Sequence, residues 1–300
     1  MEKASLFKKY LDPLVLSNIN NLELRAKLVV EGFITGLHKS PFHGFSVEFS
    51  QHRPYNPGDN LRFIDWKVFG RTDRFYIKQF EEETNLKAYI LLDISNSMHF
   101  QTNGTSKIDY AKTLAAALTY LMLQQRDAVG LVLFDTKIQK LLPPRSVTSY
   151  LQPVLMALDT VKAGKDTDIG PVLHTMAERL KRKGLVILIS DLYDESEKIL
   201  SGLRHFRYNN HEVLVFHLLD QKEINFEFDG EVEFEDLESG ERIRTYPWYI
   251  KNDYLKAINE FEQYYRRQCR ENLIDYQLLT TDQSLDIALM EYIIKRKKLG

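Results

Sequence analysis

What this 300-residue sequence lacks removes several classes of function. It has a single cysteine, Cys269, so no intrachain disulfide can form and a Cys-based metal cluster is excluded. That usage fits a reducing compartment. No run approaches the roughly 20 apolar residues needed to span a bilayer. The longest, Ala88–Leu92 and Leu185–Ile189, are strand-sized. The opening Met-Glu-Lys-Ala-Ser-Leu-Phe-Lys-Lys-Tyr lacks the apolar core of a secretory signal, and a cytoplasmic location is expected. Neither sign of charge dominates: the net charge is −2, so no global field draws the chain to nucleic acid or an anionic membrane. There is no Gly-x-Ser-x-Gly elbow and no phosphate loop with Gly-Lys-Ser/Thr. The 8 histidines are scattered without zinc-ligand spacing, and Cys269 falls on a helix between Arg and Gln residues with no base identified to activate it.

What is present is ordinary globular composition, 44% apolar and 27% charged, enough for a substantial core. Leu22, Ala26, Val29, Phe33 and Leu37 recur at helical spacing, and Ser40-Pro41 ends that helix. Phe45–Phe49 and Phe75–Phe80 read as short strands around a loop, with Pro57-Gly58 suited to a type II turn. In Arg53–Lys78 basic and aromatic residues interleave, a pattern that also suits nucleic-acid stacking. Asp59, Asp65, Asp73 and Glu81–Glu83 balance the bases, so a structural strap with Phe63 and Trp66 packed is the preferred reading.

From Lys87 onwards strands and helices alternate. Strands are predicted at Lys87–Leu92, Ala128–Phe134, Leu185–Ile189, Glu212–Leu218 and Asp275–Leu279, with Ile138–Leu142 as an edge strand in a hairpin. Helices are predicted at Lys107–Leu123, Thr148–Leu158, Ile169–Lys181, Glu195–Phe206, Tyr249–Cys269 and Leu285–Lys295. This alternation predicts an α/β fold with a doubly wound, mostly parallel sheet. Two regions follow: a helical and β-rich extension over 1–84, and the main domain over 85–300 with a β insertion at about 224–246. Between Glu227 and Glu241 that insertion carries eight acids and no base, which reads as the solvated face of an edge hairpin or a docking surface for a basic partner.

One segment carries chemistry. The apolar strand runs straight into Asp93-Ile94-Ser95-Asn96-Ser97, an Asp-x-Ser-x-Ser pattern. Oxygen-bearing side chains two residues apart in a turning loop can converge on one point. In open parallel sheets ligands bind outside the carboxyl ends of the strands, where the strand order reverses. Thr167 lies just before a predicted helix, and Asp191 ends the strand Leu185–Ile189 plus one serine. Three hydroxyls and two carboxylates suit a hard cation that keeps several waters, Mg²⁺ first, with Mn²⁺ or Ca²⁺ as alternatives. Asp, Ser and Thr are also common turn and cap residues, so the first motif alone is weak. His99 follows the motif and reads as a surface histidine.

The set Asp93, Ser95, Ser97, Thr167 and Asp191 resembles the metal-ion-dependent adhesion site of von Willebrand factor A domains. In that family the serines bind metal directly and the aspartates act mainly through water. Arg53-Pro54-Tyr55-Asn56-Pro57-Gly58-Asp59, Ile64-Asp65-Trp66 and Arg71-Thr72, with Ser40-Pro41-Phe42-His43-Gly44 and Phe80-Glu81-Glu82-Glu83, resemble a bacterial family known as domain of unknown function 58. The resemblance runs from about Leu22 to Lys295 and implies a von Willebrand A-like fold working with a MoxR-type AAA+ ATPase. Longer members carry membrane spans that this sequence lacks. The expected function is a non-enzymatic, Mg²⁺-dependent protein-binding adaptor whose client offers an Asp or Glu to the metal. Two alternatives stand beside it: a phosphate-ester hydrolase using Asp93, weakened because Ser95 replaces the second acid of a haloacid-type motif, and a structural domain with an empty metal site.

Overall fold

The computed structural model describes residues 12–37, 52–54, 69–71, 73–78, 86–102, 104–161, 168–235 and 241–299. The Phe45–Phe49 strand, the Pro57-Gly58 turn and the packing of Phe63 and Trp66 lie outside the described residues. Two helices lead in, α1 (Pro13–Ser17) and the 16-residue α2 (Leu22–Leu37), followed by an antiparallel pair, β1 (His52–Pro54) and β2 (Tyr76–Lys78). The main sheet is built from β3 (Lys87–Asp93), β4 (Ala128–Phe134), β5 (Ile138–Arg145), β6 (Leu185–Ser190) and β7 (Glu212–Leu219). After the hairpin β8 (Val232–Glu235) and β9 (Arg242–Thr245) comes the last sheet strand, β10 (Asp275–Thr280). Six main helices intervene or follow: α3 (Lys107–Gln124), α4 (Leu151–Asp159), α5 (Ile169–Arg179), α6 (Ser196–Tyr208), the 25-residue α8 (Pro247–Glu271) and α9 (Asp286–Leu299), with a single-turn α7 (Gln221–Asn225) after β7.

The main sheet runs β10-β7-β6-β3-β4-β5, parallel except for β5, which pairs antiparallel with β4 as the edge hairpin expected from the sequence. The chain lays β4 and β5 on one side of β3, then returns to lay β6, β7 and β10 on the other. The order therefore reverses between β3 and β6, which defines the switch point of a doubly wound sheet.

Burial follows the strand period of two. Ile90 and Leu92 join one apolar cluster with α2, α3, α4 and α9, while Leu91 joins another with α5, α6 and α8. The same division separates Leu131 and Leu133 from Val132 and Phe134, and Leu185, Ile187 and Ile189 from Val186 and Leu188. Covered on both faces, the strands can be almost wholly apolar, which is why they appear in the sequence as continuous runs. Leu22, Ala26, Val29, Val30 and Phe33 of α2 are buried in the first of these clusters. On the other face α5 and α6 meet at glycines. A Cβ on Gly202 would lie 2.5 Å from the Leu173 Cβ, and one on Gly170 2.7 Å from the Lys198 Cβ.

The acidic insertion forms a two-stranded sheet of its own rather than an edge of the main sheet. Its register sets Glu233 opposite Arg244 and Glu235 opposite Arg242, and both pairs form salt bridges. Behind them Phe226, Phe228, Phe234 and Tyr254 make an aromatic cluster, so local packing as well as solvated charge holds the hairpin. At the amino end of the sheet α9 is fastened by ion pairs. Arg296 Nε donates to buried Asp127 at 2.6 Å, and Lys295 reaches both Glu212 and Asp275 at 2.6 Å. No helix among the described residues is long and apolar enough to cross a membrane.

Cys269 is fully buried in the cluster beneath α8, and burial pushes its thiol up to about 12. A thiol in that state is a poor nucleophile. The expected outcome is negligible reaction with a disulfide reagent at pH 8 in the native protein and full reaction of one thiol after unfolding in guanidinium. Rapid native labelling would contradict this packing.

Candidate functional site

The switch point brings together Asp93, Ser95, Ser97 and Asp191 of the residues singled out from the sequence. Asp93 closes β3 and is fully buried. Its Oδ1 accepts the Ser95 N–H at 2.9 Å, bending the chain away from the sheet in an Asx turn. Its Oδ2 accepts the Ser190 hydroxyl at 2.7 Å across from β6. That turn carries Ser95 and Ser97 to the same side, their hydroxyl oxygens 3.0 Å apart. Asp191 follows β6 and is also fully buried. It is close enough to raise the Asp93 carboxyl: burial first, then the Asp191 charge, push it up to about 7 against hydrogen bonds from Ser190 and Ser95. Thr167 lies outside the described residues. With both Asp93 oxygens engaged and no exposure, the geometry disfavours Asp93 as the attacking nucleophile of a hydrolase.

The donor set fits a hard cation. Adjacent ligands of an octahedral Mg²⁺ at about 2.1 Å lie about 3 Å apart, which is the separation of the two serine oxygens. Among the described residues no three His, Cys, Asp or Glu side chains converge as a metal cluster. Any metal at this edge would therefore rest on hydroxyls, with the carboxylates as near neighbours. His99, one turn on, is half-buried rather than a free surface residue. Its Nε2 is buried without a hydrogen-bond partner among the described residues, and burial lowers its pKa.

Beside the serines and aspartates lies a cage absent from the sequence reading. Lys107, the first residue of α3, is fully buried. Its ammonium donates to Asp191 Oδ2 at 2.8 Å and to Glu223 Oε1 at 2.8 Å. The ring of Tyr193 lies 4.8 Å from it and that of Phe100 5.7 Å. Burial pulls the lysine pKa down, but the two carboxylates outweigh it and hold the group above its ordinary value. Glu223 sits on α7, where it accepts the Asp220 N–H at 2.6 Å as half of a capping box. Asp220, buried at the end of β7, accepts the hydroxyls of Thr102 and Thr281.

The Asp191 main chain is fixed from below. Its carbonyl can only accept, so His217 Nε2 carries the hydrogen of the 2.9 Å contact between them. Nδ1 then accepts the Tyr276 hydroxyl at 2.6 Å. Burial pushes His217 down to about 4, in keeping with this neutral tautomer. The next residue, Leu192, has φ 58°, a left-handed conformation unusual for a branched side chain. The turn it makes lets Asp194 Oδ2 accept the first N–H of α5, Ile169, at 2.7 Å.

Signals for part of this cage were present in the sequence. Asp220-x-x-Glu223 matches a capping box, and Leu219-Asp220 repeats the strand-to-aspartate step of Leu92-Asp93. A lysine in the first turn of a helix opposes the macrodipole, which marks Lys107 as a residue held for another reason.

A doubly wound α/β domain gathering hydroxyl and carboxylate oxygens at its switch point is the class these features define. The chain belongs to the family described as Protein of unknown function DUF58, whose model matches residues 51–264. It is similar to the uncharacterized proteins Rv1480 of Mycobacterium tuberculosis (strain ATCC 25618 / H37Rv) and Mb1516 of Mycobacterium bovis. Each is 25% identical over 293 residues, covering 96% of this chain and 91% of the relative. Among solved structures it is similar to the conserved hypothetical protein BatB of Bacteroides thetaiotaomicron, with TM-score 0.48 and 16% identity over 71% of this chain and 99% of that one. A second is an aerotolerance-related membrane protein of Bacteroides fragilis NCTC 9343, with TM-score 0.49 and 19% identity over 70% and 99%.

The cage gives a stability prediction. Lys107→Met leaves Asp191 and Glu223 buried without their counter-charge, and removing one partner of a buried ion pair costs about 3–5 kcal/mol. Urea unfolding of metal-free protein should show that loss, and Lys107→Met/Glu223→Gln, which leaves Asp191 alone unpaired, should recover part of it. Equal stability of Lys107→Met and wild type would refute the pairing.

Proposed function

We propose that this chain is a metal-dependent protein-binding adaptor, with Asp93, Ser95, Ser97, Thr167 and Asp191 holding Mg²⁺. The observation that carries the reading is the 3.0 Å spacing of the Ser95 and Ser97 hydroxyls beside two buried carboxylates at the switch point. Ser95 and Ser97 are neutral donors, so they would leave the ion's charge largely available to an outside group. Asp93 and Asp191 balance that charge and orient metal-bound waters through their remaining lone pairs. Thr167 enters this set on the sequence pattern. The ion supplies an electrophilic position for a carboxylate, and a client presenting an exposed Asp or Glu would complete its coordination. The role is binding rather than turnover. A MoxR-type AAA+ ATPase is the partner implied by the family resemblance, with this chain coupling ATPase work to a client in complex assembly. A location in the cytoplasm belongs to the same proposal.

Calorimetric titration with Mg²⁺ and Mn²⁺ is expected to give one site per chain. Ser95→Ala/Ser97→Ala should weaken it by about 10- to 100-fold, the range seen when even outer partners of a metal are removed. No binding by the wild type, or equal binding by the variant, would sink the metal reading. Turnover of a generic phosphate ester that Asp93→Ala abolishes would instead favour a hydrolase.

For the partner, affinity capture in buffers with MgCl₂ or EDTA should recover the ATPase only with Mg²⁺. Recovery of the same proteins in both buffers would refute metal-bridged recognition.

A further inference from the structure

We propose that the Lys107 ammonium is a built-in cation that occupies Asp191 in the resting site and competes with a metal ion for it, with Glu223 as the second berth to which it withdraws. The inference rests on the metal reading above and adds its regulation. Lys107 Nζ lies 2.8 Å from one carboxylate of the metal edge and 2.8 Å from one that belongs to α7. The Asp191 carboxylate has no oxygen facing away from a donor: Oδ2 takes the ammonium, and the Tyr193 N–H approaches Oδ1 at 3.4 Å. A metal ion and an ammonium on the same carboxylate repel each other, the more so where water is excluded.

The second berth is already built. Glu223 is held by the Asp220 N–H through Oε2, which leaves Oε1 fixed towards the lysine. The Tyr193 and Phe100 ring faces flank the ammonium, and ring faces attract cations. A flexible four-carbon stem lets the charge pivot from Asp191 towards Glu223 without leaving this enclosure. Asp191 and Glu223 share one ammonium, and Asp93 lies near Asp191 with no cation of its own among the described residues. Only when it gives up Asp191 does the serine side of the site present two uncompensated carboxylates to a divalent ion.

The test compares Mg²⁺ and Mn²⁺ titrations of the wild type and Lys107→Met/Glu223→Gln. The double variant removes one positive and one negative charge, so the net charge is unchanged and Asp191 alone loses its ammonium partner. Competition predicts an affinity about tenfold tighter in the variant, within the usual range for coupling between sites. Equal or weaker affinity overturns the proposal and makes Lys107 an aid to Asp191 rather than its competitor. Binding by the variant but not by the wild type supports competition while refuting metal occupancy of the wild-type site. Absence of binding by both sinks both readings. A second measurement needs no variant: the ¹⁵Nζ resonance of Lys107 in the wild type should shift on Mg²⁺ addition as the ammonium changes partner. A signal unmoved at saturating Mg²⁺ refutes the exchange.

Discussion

Two carboxylates held side by side away from water repel each other and lose their hydration, and Asp93 and Asp191 are both fully buried. Much of the carboxyl edge of the sheet answers that cost. The Ser190 hydroxyl and the Ser95 N–H serve Asp93, so β6 and the loop after β3 are tied to one side chain. Lys107 serves Asp191 and brings with it the start of α3, while Glu223 brings α7. His217 and Tyr276 fix the Asp191 carbonyl from β7 and β10. Four of the six main-sheet strands thus meet at one electrostatic problem. Its solution leaves two serine hydroxyls 3.0 Å apart beside it.

The strands and the two aspartates were legible because each is written locally. A buried parallel strand is a short apolar run, and an acid at its end stands out. The cage was not legible, because its contacts are distant in the chain. Lys107 meets Asp191 across 84 residues and Glu223 across 116, and no local pattern encodes such a meeting. The insertion shows the same limit. Alternating Phe226, Phe228, Val232 and Phe234 announced strands, but the choice between extending the main sheet and forming a separate one lay in the aromatic packing of Phe226 against Tyr254 of α8. Thr167 and most of the Arg53–Lys78 segment, which carries much of the family resemblance, stay at the level of sequence pattern.

The two ends of the sheet handle charge differently. At the amino end the buried carboxylate of Asp127 accepts from Arg296 and Tyr292, a closed account within the fold. At the carboxyl end buried Asp191 and nearly buried Glu223 share one lysine, with buried Asp93 beside Asp191. The proposed binding function would draw on that excess of negative charge.

The closure at Asp127 also bears on how the chain reaches its native state. Tyr292 lies 165 residues beyond Asp127 and Arg296 169, while Leu289, Tyr292 and Ile293 supply apolar contacts to the cluster shared with α2 and α3. During synthesis from the amino terminus, the counter-charge that Asp127 has among the described residues arrives only once α9 has emerged and docked. Contacts of such separation close late and slowly. A chain without α9 would lack both the Arg296 partner of Asp127 and the Leu289, Tyr292 and Ile293 side chains of that cluster, so α9 completes the charge balance and the core together.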